Sequence, residues 1–273
     1  MHFVGVDLAW GVRNPTGVAV LDADGRLVAL SAARDDDAVL TALRPWVRGE
    51  CLVGIDAPLV VTNPTGQRAA EAALNRDFAR FEAGAHPANT GKPEFANGPR
   101  GARLAAALGL DIDPRSPASQ RAIEVYPHAA MVALFRLHRT VKYKAKPGRP
   151  LELLRAELLR VMDLLEGLAR APVPLRVADD VRWGALRRQV RGATRKSDLR
   201  RAEDPVDAVV CAYVARYAHH RPEGVTRYGD HVTGCIVTPT VPMDLAASPR
   251  RRARRGDAIT PVATVGRTAP TCR

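Results

Sequence analysis

Residues 1–33 have the sequence MHFVGVDLAWGVRNPTGVAVLDADGRLVALSAA, and this stretch decides the fold. It holds three short apolar segments, at residues 2–8, 17–22 and 26–33. A turn-rich connection follows the first segment, and a tight ADG turn follows the second. This pattern predicts a three-stranded antiparallel meander. A doubly wound sheet would instead alternate strands and helices from its first strand onward.

The following segments predict a helix and then a central strand. Residues 35–47 (DDDAVLTALRPWV) begin with three acidic residues, which favour a helix start, and continue with apolar residues at helical spacing. Residues 51–61 (CLVGIDAPLVV) form a continuous apolar run, typical of a strand buried on both faces. Three antiparallel strands, a helix and further central strands predict an α/β fold of the ribonuclease H-like kind, with a mixed sheet flanked by helices.

We expect one domain over residues 1–243 and a disordered basic tail over residues 244–273. Residues 62–120, rich in Asn, Pro, Gly and Arg, are predicted to form an insertion or lid with helices near 67–82 and 99–109. Residues 121–240 predict a strand, several helices and a last short strand. The final helix is expected to begin at Asp204, with Pro205 in its first turn.

The chain carries 41 Lys and Arg residues against 29 Asp and Glu residues, a formal net charge of +12. Such a surplus is typical of proteins that bind nucleic acid. It carries modest weight, because coding bias also enriches Arg and part of the excess lies in the C-terminal tail. No apolar run reaches the roughly 20 residues of a membrane helix, and no signal peptide is recognisable. We therefore expect a cytoplasmic protein with no membrane partner.

Five acidic residues stand at the end of short apolar segments, inside them, or at the start of the last predicted helix. They are Asp7, Asp56, Glu124, Asp204 and Asp207. Burying several carboxylates together is costly, because like charges raise one another's pKa, and a cation is needed to offset that cost. Oxygen ligands of this kind suit Mg²⁺ or Mn²⁺. The five residues are therefore candidate metal ligands and catalytic residues.

Their expected geometry supports a shared site. If the strands that end at Asp7 and Asp56 are parallel neighbours, both carboxylates lie at one edge of the sheet. Asp204 and Asp207, three residues apart, share a helix face. Such a cluster can hold two metal ions roughly 4 Å apart. Each residue also has a simpler interpretation: a turn for the two strand-end residues, a solvated strand face for Glu124, a helix cap for Asp204, and a partner of the helix dipole for Asp207.

Basic residues supply candidates for contact with a substrate phosphate. Lys142, Lys144, Lys146 and Arg149 cluster in a loop with Gly and Pro, and Arg68 lies on the predicted insertion helix. Basic side chains hold phosphate groups through charge-assisted hydrogen bonds. The alternative for the loop is a solvated basic surface, and for Arg68 it is a surface position without function.

Five segments occur in the order seen in the DUF429 family, whose members are predicted nucleases with a ribonuclease H-like fold. They are GVDLAW (5–10), GIDAPL (54–59), EVYPHAA (124–130), KYKAKPGR (142–149) and DPVDAVVCAYVA (204–215). The chain resembles this family over roughly residues 2–240. The resemblance implies that Asp7, Asp56, Asp204 and Asp207 are the acids of the site. Glu124 matches the family's E-x-Y-P motif, and its role as a ligand is less clearly implied.

The leading hypothesis is therefore a Mg²⁺- or Mn²⁺-dependent nuclease that hydrolyses phosphodiester bonds in DNA or RNA. A second hypothesis is an ATP-using phosphotransferase related to actin and the sugar kinases. Such proteins need glycine-rich phosphate loops and a duplicated domain, and the chain is short for that duplication. A third is a ribonuclease H-like binding protein without activity.

Overall fold

The computed structural model of the protein describes residues 1–9 and 15–249. This part of the chain is an α/β structure built on one seven-stranded sheet. The strands are β1 (His2–Asp7), β2 (Thr16–Leu21), β3 (Leu27–Ala33), β4 (Cys51–Ile55), β5 (Gln120–Val125), β6 (Val225–Asp230) and β7 (Gly234–Pro239). Their order across the sheet is β3-β2-β1-β4-β5-β7-β6.

The sheet is mixed, and the predicted meander is confirmed. Strands β1, β2 and β3 pair antiparallel in sequence order. Strand β4 then pairs parallel with β1, β5 pairs parallel with β4, and β7 pairs parallel with β5. The parallel neighbours β1 and β4 therefore end at the same edge of the sheet, as the sequence predicted.

Seven helices flank the sheet in the described part of the chain. They are α1 (Asp36–Leu43), α2 (Ala69–Phe78), α3 (Arg100–Ala107), α4 (Pro127–Leu134), α5 (Leu151–Gly167), α6 (Val181–Arg191) and α7 (Lys196–His220). Strand side chains alternate between the two faces. Val4 and Val6 pack on the face covered by α1 and α3, whereas Phe3 packs into the larger core that contains α7. No helix in the described residues is long and apolar enough to cross a membrane.

Helix α7 lies directly on the sheet because glycines replace side chains beneath it. A Cβ atom added to Gly5 of β1 would lie 1.8 Å from the carbonyl oxygen of Ala208. A Cβ atom added to Gly17 of β2 would lie 2.0 Å from the carbonyl oxygen of Asp204. Both distances are far below van der Waals contact. The missing side chains therefore let the acidic part of α7 approach the end of β1.

The start of α7 differs from the prediction. The helix begins at Lys196, and Pro205 lies in its interior. Proline removes one backbone hydrogen bond from a helix and is unfavourable there. The preceding turns are nevertheless helical, because Leu199 and Ala202 are fully buried and tertiary packing outweighs the local cost. Asp204 is therefore not a helix cap, and the helix N-terminus does not account for its position.

The C-terminal part contains one more strand than predicted. Strand β6 forms a hairpin with β7 at the edge of the sheet. Only Val225 and Tyr228 of its sequence VTRYGD are buried, so the apolar pattern that would predict a strand is weak. The expected tail from residue 244 falls mostly on residues 250–273, outside the described residues. Of the first tail residues, Leu245 is buried against the core.

The predicted insertion connects β4 to β5 and contains α2 and α3. Helix α2 packs into the main core through Ala70, Leu74 and Phe78. It also lies against the β6–β7 hairpin, where the Tyr228 hydroxyl donates a hydrogen bond to Asp77 at 2.5 Å. The segment is thus an integral part of the domain as well as a wall of the site described below.

Candidate functional site

Two of the predicted carboxylates lie together at one edge of the sheet. Asp7 is the last residue of β1, and Asp56 directly follows β4. The backbone N–H of Asp56 donates to the carbonyl oxygen of Val6 at 2.8 Å, which fixes the two strand ends side by side. Asp7 is 9% exposed, and Asp56 is half-buried.

Helix α7 brings further carboxylates to this edge. Asp204 is half-buried, whereas Asp207 is completely buried. Glu203, which the sequence reasoning did not select, is also buried and lines the same cavity as Asp204. Glu203 lies four residues before Asp207 and so shares its helix face, but the prediction began the helix at Asp204 and left Glu203 outside it. The tertiary packing of α7 against the sheet leaves both Glu203 and Asp204 at the cavity.

Two residues of the basic loop contact the buried Asp207. The Tyr143 hydroxyl donates a hydrogen bond to Asp207 Oδ1 at 2.6 Å. The Lys144 ammonium lies 2.6 Å from Asp207 Oδ2 and 4.0 Å from an oxygen of Asp7. The predicted phosphate-binding residue Lys144 is therefore a partner of the carboxylates.

Burial and mutual repulsion make these carboxylates hold protons more strongly than usual. Burial raises the pKa of Asp56 to about 7, with Asp207 and Glu124 adding to the effect and Lys144 opposing it. Burial likewise raises the pKa of Glu203 to about 7 and that of Asp204 to about 6. The pKa of Asp7 is raised well above its ordinary value, again chiefly by burial. Groups of carboxyls with raised pKa values in a cleft are typical of functional sites.

Glu124 faces a basic partner instead. Its carboxylate accepts two hydrogen bonds from the guanidinium of Arg68, at 2.5 and 2.9 Å, and one from the backbone N–H of Leu59 at 3.0 Å. Arg68 is 2% exposed and also donates to Glu71 at 2.9 Å. In this buried pair, the cation beside the Glu124 carboxylate is the Arg68 guanidinium and not a metal ion. Because Arg68 is buried in this pair, its guanidinium is not accessible to a substrate.

The carboxylates line a cavity of about 960 Å³. Asp7, Asp56, Glu203 and Asp204 line it, and the insertion contributes Glu82, Gly84, His86 and Glu94. Basic residues line it as well: Lys142, Lys144, Lys146, Arg149 and Arg200. The volume lies at the upper end of the range for clefts that bind small ligands.

The remaining basic loop residues differ in their availability. Lys142 forms an ion pair with Glu82. Arg149 donates to the carbonyl oxygen of Lys144 at 2.7 Å, which holds the loop in shape. Lys146 and Arg200 are exposed. Of the predicted phosphate-binding residues, Lys146 is therefore the one with the most accessible side chain.

The donor chemistry of the cavity suits a hard divalent cation, but the site is not preformed. Within residues 1–9 and 15–249, no three His, Cys, Asp or Glu side chains are grouped so that they could hold a metal ion. Two observations describe how the carboxylates are paired within the chain. The Lys144 ammonium already lies among the carboxylates, and Glu203 Oε1 is buried without a hydrogen-bond partner in the described residues. Buried polar atoms normally have partners.

Comparison with known families gives one match. The sequence model of a family described as a protein of unknown function, DUF429, matches residues 5–233. Comparison with curated proteins and comparison with solved structures each gave no match. The matched range contains Asp7, Asp56, Glu124, Glu203, Asp204 and Asp207.

Proposed function

The chain belongs to the DUF429 family, and we propose that it is a Mg²⁺- or Mn²⁺-dependent nuclease with a ribonuclease H-like fold. The fold proposal is supported by the strand order, in which an antiparallel meander is followed by parallel central strands. The activity is proposed from the site, since one fold can carry many functions.

One observation carries the proposal. Carboxylates from three separate elements line one cavity: Asp7 ends β1, Asp56 follows β4, and Glu203 and Asp204 lie on α7. Basic residues of the loop and of α7 line the same cavity, among them Lys146 and Arg200. A cavity lined by both acidic and basic residues suits a phosphodiester. The acidic residues would hold a metal, and the basic residues would bind the phosphate beside it.

Asp7, Asp56, Glu203 and Asp204, which line the cavity, would hold the metal together with the buried Asp207. When bound there, a divalent metal would supply activation of water and stabilisation of negative charge on phosphate oxygens. Asp7 and Asp56 would keep their positions, because the parallel strands β1 and β4 end side by side at one edge of the sheet. Lys146 and Arg200 would orient the phosphate through charge-assisted hydrogen bonds.

The volume and the lining charges of the cavity also limit which substrates we propose. A volume of about 960 Å³ accommodates a phosphodiester with its neighbouring nucleosides. The insertion residue Glu94 lines the same cavity, and its negative charge disfavours a second phosphate backbone there. We therefore propose single strands, strand ends or short oligonucleotides as preferred substrates over continuous duplex.

Cleavage assays test the proposal. Purified protein would be incubated with single-stranded, duplex and branched DNA and with RNA, in Mg²⁺, Mn²⁺ or EDTA. We expect metal-dependent cleavage that falls at least about 100-fold in Asp7→Asn and is unchanged in Asp37→Asn, an exposed acidic residue of α1. Equal cleavage by both variants, or ATP turnover without cleavage of any substrate, would contradict the nuclease proposal.

A further inference from the structure

The acidic cavity contains its own cation. The Lys144 ammonium lies 2.6 Å from Asp207 and 4.0 Å from Asp7, and it faces two carboxylates from different elements. Its side chain is 33% exposed, whereas that of Asp207 is 0% exposed. The ammonium therefore lies on the cavity side of the buried carboxylate.

A metal ion bound to the same carboxylates would meet this ammonium at close range. Two positive charges about 4 Å apart repel each other, and more strongly at a partly buried position than in bulk water. In this arrangement of side chains, the described residues contain no group of three acidic, His or Cys side chains able to hold a metal. The positive charge of the ammonium therefore offsets the negative charge of the Asp7 and Asp207 carboxylates.

The lysine side chain can leave without unfolding the site. Lys144 lies in the connection between α4 and α5, outside any helix or strand. Its neighbour Tyr143 is fully buried and bonded to Asp207, which anchors the backbone at this point. A four-carbon stem allows the ammonium to move to solvent while the loop backbone stays fixed.

We infer that the Lys144 ammonium and a divalent cation compete for the same position between Asp7 and Asp207, with the ammonium filling it in the metal-free protein. This inference rests on the proposed metal-dependent function. Lys144 then acts as a positioning residue, which keeps the carboxylates together before a metal binds and must leave when one does. The apparent affinity for the metal is lowered by the fraction of molecules in which the ammonium occupies the site.

Calorimetric titration with MnCl₂ tests the competition directly. If the ammonium occupies the position at least nine-tenths of the time, Lys144→Met lowers the Kd for Mn²⁺ by about tenfold or more. The matched control is Lys146→Met, which removes a charge from the same loop and the same cavity wall but not from the carboxylates. We expect its Kd to stay within about twofold of the wild-type value, because exposed charges are screened.

The outcomes separate the two proposals. An equal or higher Kd in Lys144→Met than in wild type would overturn the competition and leave the metal-dependent function standing. The absence of Mn²⁺ binding in wild type and in both variants would overturn both proposals.

A second measurement uses the wild-type protein and does not depend on the folding of a variant. Acetylation of lysines with a limiting amine-reactive ester would be followed by mass spectrometry, in EDTA and in saturating MnCl₂. Release of the ammonium predicts that acetylation of Lys144 rises at least about threefold with Mn²⁺ relative to Lys146, since the freed amine becomes accessible. An unchanged or lower Lys144 signal would overturn the inference.

Discussion

The Lys144 ammonium lies 2.6 Å from the Asp207 carboxylate, which is completely buried in α7. The neighbouring Tyr143 donates to the other oxygen of the same carboxylate. Two consecutive residues of one loop thus contact the most deeply buried acid of the site, Tyr143 through a hydrogen bond and Lys144 through its charge. This contact ties the basic loop to α7 and places the loop, the helix and the sheet edge around one cavity.

The pH dependence of stability should reveal the crowded carboxylates. The pKa of Asp56 is about 7 in the folded protein, and unfolded Asp has a value near 4. Between these values the folded state holds more protons, so this residue's stabilising effect is complete below about pH 4 and is lost as the pH rises through about 7. In EDTA, we expect wild type to lose more thermal stability between pH 5.5 and 7.5 than Asp56→Asn does.

Scanning calorimetry at both pH values measures this difference, and each protein is its own control. An Asp56→Asn variant with the same pH dependence as wild type would show that this carboxyl titrates normally. Saturating MnCl₂ should reduce the loss in wild type, because a bound cation favours the ionised form.

The Arg68–Glu124 pair is predicted to stabilise the fold. Both side chains are buried, so Arg68→Met leaves the Glu124 carboxylate without its cation. We expect the free energy of unfolding in urea to fall by about 3–5 kcal/mol. Arg26→Met, which removes an exposed ion pair with Asp24, should cost less than about 1 kcal/mol. Normal stability of Arg68→Met combined with loss of Mn²⁺ binding in Glu124→Gln would favour the ligand role predicted for Glu124 from sequence.

The close approach of α7 to the sheet is predicted to depend on Gly5. An alanine Cβ would lie 1.8 Å from the Ala208 carbonyl oxygen, so α7 must move away from β1. We expect Gly5→Ala to lower the free energy of unfolding by at least about 3 kcal/mol. At Gly49 nothing lies within 4 Å of an added Cβ, and Gly49→Ala is the matched control, with an expected change below about 0.5 kcal/mol. Equal stability of the two variants would mean that the helix does not need this contact.

Glu203 is predicted to contribute to metal binding and not to folding. Its Oε1 is buried without a hydrogen-bond partner in the described part of the chain, so it gives little stabilisation to the metal-free protein. We expect Glu203→Gln to weaken Mn²⁺ binding by about 10- to 100-fold and to leave stability in EDTA unchanged or raised. Glu152→Gln, on the exposed side of α5, should change neither quantity. Reduced stability of Glu203→Gln with unchanged Mn²⁺ affinity would assign Glu203 a structural role.

Much of the sheet was predictable because local signals and tertiary structure agree there. The three apolar segments before residue 33 form the meander, and Asp35 caps α1 by accepting from the N–H of Ala38 at 2.8 Å. Where local preference and packing conflict, the prediction was wrong. Pro205 indicated a helix start, but the burial of Leu199 and Ala202 extends α7 to Lys196.

The site was predictable only in part, because contacts between distant residues are not visible in spacing. Asp7 and Asp56 lie together at the end of parallel strands, a relationship that strand order alone implies. Glu124 is separated from Arg68 by 56 residues in sequence, and no local pattern indicates that the two side chains pair. Lys144 looks like any residue of a basic loop until the fold places it against Asp207.

A crystal structure of the protein soaked in MnCl₂ tests the central claim most directly, because anomalous scattering locates the metal. The account predicts a Mn²⁺ ion in the cavity coordinated by Asp7 and at least one carboxylate of α7, with the Lys144 ammonium moved away from Asp207. A cavity without Mn²⁺ at saturating concentration, with Lys144 still 2.6 Å from Asp207, would contradict it.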